Sequence, residues 1–112
     1  ADVINIKISK YGLGNARRMA AVAEAASLPC MVGCMMIMGV ATAASIHFCA
    51  ANAFPYNSEL DGALFLADDI VIGNPYTEIP AGEKSWPVPE GPGLGVTLKP
   101  AWAEALQHEL ER

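Results

Sequence analysis

The first 62 residues alternate between short apolar stretches and longer alanine-rich stretches. The apolar stretches predict strands at 2–8 and 30–32, and a third extended piece leads to 59–61. Between them, alanines recur at helical spacing, which predicts helices from about Asn15 to Ala26 and from about Ala41 to Asn52. A β-α-β-α-β order requires parallel strands joined by right-handed crossovers. The sequence therefore predicts an α/β fold over residues 1–62.

The remaining residues, 63–112, are rich in proline and glycine and predict turns with small extended pieces. Pro100 stands where a last helix, from Ala101 to Glu111, would begin, because proline is favoured in the first turn of a helix. Such a tail cannot extend a parallel sheet. We expect it to fold over a neighbouring domain, with Trp86 and Trp102 as its anchors.

Charge and cysteine content exclude several classes of function. The net charge is -5, and Arg17 and Arg18 form the only basic cluster, which argues against binding to nucleic acid or to an anionic membrane surface. The three cysteines are not accompanied by histidines at metal-binding spacing, so neither a disulfide framework nor a zinc site is predicted. We expect reduced, mostly buried thiols in a cytoplasmic protein.

A hydrophobic content of 53% with only 17% charged residues leaves little polar surface to cover a small domain. We therefore expect the chain to be a piece of a larger protein. The run 28–54 has no Asp, Glu, Lys or Arg and is long enough to span a bilayer. However, Pro29, Gly33 and Gly39 interrupt it, and a buried strand followed by a helix is the preferred interpretation.

A glycine pattern at Gly12-Leu13-Gly14 invites a dinucleotide-binding interpretation, since it lies between a predicted strand and a predicted helix. Arg17 replaces the third glycine of that fingerprint, and no acidic residue follows at the required distance. The sequence therefore does not favour a dinucleotide site.

Lys7 is the principal candidate for chemistry. It lies on the polar face of the first predicted strand with Val3, Asn5 and Ser9, while isoleucines occupy the other face. A lysine that is removed from water releases its proton more easily and can act as a general base near neutral pH. A half-exposed strand with a solvated lysine explains the same pattern, and the residues alone leave both possibilities open.

Two carboxylates, Glu59 and Asp61, are separated by one residue on the third extended piece, so both would lie on one face of a strand. There they could bind a cationic amine. A solvated loop with a turn at Asp61-Gly62 is the alternative. Asp68 and Asp69 lie in the tail, and we expect them to be a capping or surface pair.

Five stretches of the chain together resemble the C-terminal part of the enolase superfamily, specifically its muconate-lactonizing-enzyme-like subgroup, which includes muconate cycloisomerases and dipeptide epimerases. They occur in the family's order and cover nearly the whole chain. They are Asp2-Val3-Ile4-Asn5-Ile6-Lys7, Val32-Gly33-Cys34-Met35-Met36, Thr42-Ala43-Ala44-Ser45-Ile46-His47, Glu59-Leu60-Asp61-Gly62 and Pro92-Gly93-Leu94-Gly95-Val96.

The resemblance implies that residues 1–62 form the last three strands and helices of a modified TIM (β/α)7β barrel, and that residues 63–112 pack on a capping domain. It implies that Lys7 is the catalytic acid or base on the carbon next to a substrate carboxylate. A Mg2+ ion would stabilise the enediolate, bound by residues that lie outside this chain. This chain alone would then be inactive.

The resemblance also places Met35, Ile37, Glu59 and Asp61 at the substrate. Ile37 stands where the family commonly has a glutamate, so we expect an amino-acid-like carboxylate substrate whose amine contacts Glu59 and Asp61. The implied reaction is a racemisation or epimerisation, a cycloisomerisation or a dehydration, in a homo-oligomer that binds neither nucleic acid nor membrane. A non-catalytic relative that retained the fold is the alternative.

Overall fold

A computed structural model describes residues 1–73, 76, 81–82 and 85–112 of the chain. Its regular elements follow one another as two strands that alternate with two helices, then a short 3-10 helix and a terminal helix. They are β1 (Ile4–Ile6), α1 (Ile8–Ala25), β2 (Cys30–Val32), α2 (Gly39–Ala50), the 3-10 helix (Asp61–Phe65) and α3 (Pro100–Leu110). The α/β character predicted from the sequence is confirmed.

The two strands pair in parallel, with Ile4 opposite Cys30 and Ile6 opposite Val32. Ile6 and Val32 are fully buried in a core that also contains Ala16 and Ala23 of α1 and residues of α2. The third extended piece joins β2 through a single parallel bridge between Gly33 and Glu59. The chain then enters the 3-10 helix, which the sequence pattern does not predict.

The first predicted strand, 2–8, was too long at both ends, and the helix that follows starts earlier than Asn15. Lys7 is the last extended residue, and its carbonyl accepts hydrogen bonds from the main-chain N–H groups of Lys10 and Tyr11, at 3.0 and 3.3 Å. A helical turn therefore begins at Ile8. Gly12, with φ of 71° and ψ of 162°, interrupts it before the long regular part of α1.

Helix α2 is the most buried helix among the described residues, and seven of its twelve residues are buried. Its two buried hydroxyl groups are satisfied within the helix: Ser45 Oγ donates to the Ala41 carbonyl at 2.8 Å, and Thr42 Oγ1 donates to the Met38 carbonyl at 3.3 Å. This explains how a run without charged residues can be a core helix. In the part of the chain that the structure describes, no helix has the length and apolarity needed to cross a membrane.

The tail contacts the α/β part through Asp69, whose carboxylate accepts a hydrogen bond from the Gly39 N–H at the start of α2. Within the tail, Val71 and Leu98 form an antiparallel bridge. Asp68 is exposed and pairs with Lys99. The expectation that Asp68 and Asp69 form a capping or surface pair is therefore confirmed, with one residue in each role.

The aromatic anchors of the tail differ in their surroundings. Trp86 is half-buried and packs edge-on against Tyr76, with ring centroids 6.0 Å apart, so one of its contacts lies within the tail. Trp102 lies on α3 and remains 49% exposed. Their proposed packing on another domain stays a prediction, as does the division of the chain at residue 62.

Candidate active site

Lys7 lies at the carboxyl end of β1, as the last residue before the chain turns into α1. Its side chain is half-buried, and its Nζ donates a hydrogen bond of 2.6 Å to the main-chain carbonyl of Cys34. Cys34 follows the carboxyl end of β2 by two residues. The lysine is therefore tethered across the ends of two neighbouring strands rather than extended into solvent.

Cys34 is also joined to the third extended piece. Its buried thiol donates a hydrogen bond of 3.2 Å to Oδ1 of Asp61. Burial is the main cause that raises the pKa of this thiol, and the hydrogen bond to Asp61 and the negative charges of Asp61 and Glu59 raise it further, while the N–H of Gly62 opposes them. The thiol is therefore a protonated donor at neutral pH.

Lys7, Cys34 and Asp61 form a continuous hydrogen-bonded row that links the ends of β1 and β2 to the start of the 3-10 helix. The same interval of 27 residues separates the first from the second and the second from the third. The paired positions of the segments are 26 residues apart, as for Ile6 and Val32 or Gly33 and Glu59, so each residue of the row lies one position further past the end of its segment than the one before. The row marks the edge of the sheet where parallel strands end, which is where α/β folds bind ligands.

The other residues predicted at the site surround this row unequally. Glu59 is exposed at the parallel bridge, but Asp61 is the first residue of the 3-10 helix, so the two carboxylates do not lie on one face of a strand, and the alternative of a turn at Asp61-Gly62 agrees better with the structure. Met35 is 48% exposed beside the row. Ile37 is buried in the core cluster and faces Gly62. The assignment of Met35, Ile37, Glu59 and Asp61 to substrate binding stays a prediction.

Asn5 and Cys34 lie at this edge and were not assigned to the site from the sequence. The amide of Asn5 lies above Gly33, where a Cβ atom would be only 2.5 Å from the Asn5 Oδ1. Asn5 could have been found because it alternates with Lys7 on the polar face of the strand. Cys34 gave no such signal, because its part in the site depends on a main-chain carbonyl and on a side chain 27 residues away.

The described residues do not form a centre for a divalent metal ion. Over 1–73, 76, 81–82 and 85–112, no three His, Cys, Asp or Glu side chains come close enough together to hold one. The Asp61 carboxylate, which has the oxygen chemistry that Mg2+ prefers, is hydrogen-bonded by a thiol instead. No step of the chemistry at this edge is therefore assigned to a metal bound by these residues.

Comparison with known proteins gives one consistent result. A family model described as enolase C-terminal domain-like matches residues 1–102. Muconate cycloisomerase 1 of Rhodococcus opacus is 40% identical over 101 residues, which are 88% of this chain and 26% of that protein. The L-Ala-D/L-Glu epimerase of Clostridium acetobutylicum is 33% identical over 96 residues, which are 85% of this chain and 26% of the epimerase.

The same similarity extends to solved structures. A substrate-liganded complex of the L-Ala-D/L-Glu epimerase from Bacillus subtilis superimposes with a TM-score of 0.66 and 31% identity, covering 86% of this chain and 26% of that one. A mandelate racemase/muconate lactonizing protein from Herpetosiphon aurantiacus gives a TM-score of 0.59 at 38% identity, covering 65% of this chain and 21% of that one. The chain thus spans about a quarter of the length of the curated relatives it matches.

Proposed function

The chain belongs to the enolase C-terminal domain-like family, and from this premise we propose that it is part of an enzyme that removes a proton next to a carboxylate. Its relatives are named as epimerases, cycloisomerases and racemases, which share that kind of reaction. Under this proposal, residues 1–62 supply the last strands and helices of the barrel. Residues 63–112 pack on a capping domain.

The observation that carries the proposal is the position of Lys7. It stands at the carboxyl end of β1 with its Nζ held 2.6 Å from the Cys34 carbonyl, so it is oriented before a substrate arrives. In its amine form, Lys7 takes the proton from the α-carbon, and the electron pair of the broken C–H bond moves onto the substrate carboxylate. Orientation of this kind lowers the barrier to proton transfer, because the reacting groups need not be brought together.

The reaction leaves a second negative charge on the oxygens of the substrate carboxylate, which a divalent cation would stabilise. We propose Mg2+ in that role, bound by residues outside this chain. The chain's own contribution is then to hold the base and to bind the rest of the substrate. Because the proposed Mg2+ ligands lie outside this chain, we propose that the 112 residues alone are inactive.

For the substrate, we propose an amino-acid-like carboxylate such as a dipeptide or an N-substituted amino acid. The negative charges of Asp61 and Glu59 both raise the pKa of the Cys34 thiol, so both acidic groups lie close to the residue whose carbonyl accepts from Lys7. Ile37 adds no charge there. Two of the relatives are epimerases named for L-Ala-D/L-Glu, which supports an amine-bearing substrate.

The role of Lys7 is tested in the complete polypeptide by exchange of the substrate α-proton with solvent deuterium. Lys7→Ala should abolish exchange for at least one stereochemical face while leaving Mg2+ affinity unchanged. Lys10→Ala is the matched control, because Lys10 is exposed on the first turn after the strand and should exchange at the wild-type rate. Equal losses from both substitutions would reject Lys7 as the base.

The role of Asp61 is tested by comparing an amino-acid substrate with a hydroxy acid of the same size. Asp61→Asn should raise KM for the amine by about 10-fold or more, as expected when a buried ion pair loses one partner. KM for the hydroxy acid should change much less. An enzyme that turns over sugar acids or muconate and ignores every amine would reject this assignment and leave only the general chemistry.

We further propose that the complete protein is a cytoplasmic homo-oligomer that acts on small molecules and binds neither nucleic acid nor membrane. All three cysteines are free thiols, which suits a reducing compartment. Light scattering of the complete protein and fractionation of its source cell test the two claims, and a monomer or a secreted protein would contradict them.

A non-catalytic relative that retained the fold is the second candidate. The apolar Ile37, at a position where related enzymes commonly carry a glutamate, favours it. The complete polypeptide distinguishes the two. Exchange of the α-proton of any carboxylate substrate supports the enzyme, and absence of exchange in a protein that binds Mg2+ and the substrate supports the non-catalytic relative.

A further inference from the structure

One residue contacts both groups on which the proposed function depends. The main-chain carbonyl of Cys34 accepts the hydrogen bond from Lys7, and its thiol donates to Asp61. Cys34 is 8% exposed, so neither bond is replaced easily by water. The side chains of Lys7 and Asp61 have no direct hydrogen bond to each other in the part of the chain that the structure describes, and Cys34 is the link between them.

We propose that Cys34 is a positioning residue that fixes Asp61 relative to Lys7. This inference rests on the proposed function, since it concerns how the base and the amine-binding carboxylate are held at one spacing. The two contacts of Cys34 are of different kinds, and this difference makes the proposal testable.

The contact with Lys7 uses the main chain and survives any replacement of the Cys34 side chain. The contact with Asp61 uses the thiol and is lost when the sulfur is removed. The thiol occupies Oδ1 of Asp61 and, within the described residues, leaves Oδ2 available for a substrate ammonium group. Removal of the thiol should therefore weaken binding of the amine without disturbing the base.

Replacement by serine provides the conservative variant. A hydroxyl group is also a donor that stays protonated at neutral pH, so Cys34→Ser can keep the hydrogen bond to Asp61. Cys34→Ala removes the donor and leaves the Asp61 side chain free to rotate. The two variants differ by one hydrogen bond while both delete the sulfur.

The first experiment records the S–H stretching band of the complete protein by infrared spectroscopy, a readout that does not require activity. A hydrogen bond to a carboxylate lowers this frequency more than a bond to a neutral acceptor does. The band that disappears in Cys34→Ala identifies the Cys34 thiol. In Asp61→Asn, this band should move to higher frequency, because an amide oxygen is a weaker acceptor.

Cys49 is the internal control in the same spectra. Its thiol donates a bond of 3.2 Å to the hydroxyl of Ser58, the same length as the bond from Cys34 to Asp61, but to a neutral acceptor. Its band, identified with Cys49→Ala, should not respond to Asp61→Asn. A Cys34 band that also fails to respond would overturn the proposal.

The second experiment measures α-proton exchange of the dipeptide L-Ala-L-Glu. Cys34→Ala should raise KM by about 3- to 10-fold, the cost of one lost hydrogen bond, and should leave kcat within about twofold. Cys34→Ser should restore KM toward the wild-type value. A fall in kcat in both variants with no separation of KM would indicate a purely structural role and overturn the proposal.

The two experiments separate this proposal from the proposed function. If the wild-type complete protein does not exchange the α-proton of L-Ala-L-Glu, this dipeptide is not its substrate, and the proposed function is then tested with other amino-acid-like carboxylates. The infrared spectra of Cys34 and Asp61 still decide whether the positioning contact exists.

Discussion

Oδ2 of Asp69 accepts a hydrogen bond of 2.7 Å from the main-chain N–H of Gly39, the first residue of α2. Oδ1 of the same carboxylate accepts a bond of 3.1 Å from the N–H of Val71. A residue of the tail therefore caps a helix of the α/β part. The capped end directly follows the segment that contains Cys34, Met35 and Ile37, so the cap also fixes one end of the candidate site.

Asp69→Ala should lower the free energy of unfolding of the complete protein by about 1–3 kcal/mol, because two main-chain N–H groups lose a buried acceptor at a helix N-terminus. Urea unfolding measures the change. Asp68→Ala is the control, since Asp68 is exposed and its pair with Lys99 lies on the surface. Equal destabilisation by the two variants would contradict the capping role.

Gly62, in the 3-10 helix, packs closely against the loop after β2. A Cβ atom there would lie 2.1 Å from the Met35 carbonyl oxygen and 3.0 Å from the Ile37 nitrogen, both main-chain atoms. Gly62→Ala should therefore destabilise the protein by about 1–3 kcal/mol, the usual cost of overpacking.

Gly14 is the matched control for Gly62. It lies in α1, and a Cβ atom added there would meet no other part of the described chain within 4 Å. Gly14→Ala should therefore increase the free energy of unfolding by about 0.5–1 kcal/mol through improved helix propensity. Thermal and urea unfolding of both variants test the pair. A neutral Gly62→Ala would show that the segments can move apart at little cost.

The buried thiols make stability depend on alkaline pH. Burial and Asp61 raise the pKa of Cys34 above the ordinary value of 9.0 that the unfolded chain retains. Between the two pKa values the unfolded chain binds fewer protons than the native protein. The contribution of the Cys34 thiol to the free energy of unfolding is therefore fully present below pH 9.0 and is lost as pH rises through the native pKa. Cys30, Cys49 and Tyr76 have raised pKa values and act in the same direction.

Cys34→Ser isolates the contribution of one thiol, because serine does not ionise in this range. The free energy of unfolding of this variant should fall less than that of the wild-type protein between one pH unit below and one above 9.0. Urea unfolding at the two pH values measures the difference. Identical losses in both proteins would show that Cys34 does not titrate differently in the native state.

The 112 residues expressed alone should aggregate or lack a unique fold. In the described part of the chain, the sheet has two strands of three residues, and large apolar side chains such as Val22, Met36 and Phe65 are at least two-thirds exposed. Size-exclusion chromatography and thermal unfolding test this expectation. A monodisperse monomer with a cooperative transition would contradict it.

The sequence predicted the elements whose pattern is local and strong. Strand 30–32 was correct, and the last helix was placed within one residue of its observed bounds, because apolar runs, alanine content and Pro100 are local signals. The end of β1 was not predictable in this way. The alternation of polar and apolar residues continues through Ile8 and Ser9, and only the turn formed on the Lys7 carbonyl ends the strand.

Only the charged residues of the candidate site were predicted from the sequence. Lys7 and Asp61 were selected by their charge, and the structure places them at one edge of the sheet through Cys34. Cys34 was considered only as one of three cysteines, since its role depends on a main-chain carbonyl and a neighbour 27 residues away. Tertiary contacts of this kind leave no local trace in sequence.

The contribution of Lys7, Cys34 and Asp61 from three different segments has a consequence for how such a site can diversify. The pairing of the segments uses main-chain atoms, while each repeated unit contributes one side chain to the row. A mutation at one of these positions therefore alters one part of the pocket and leaves the scaffold in register. Side chains at this edge can therefore be exchanged one segment at a time while the main-chain pairing of the segments is kept.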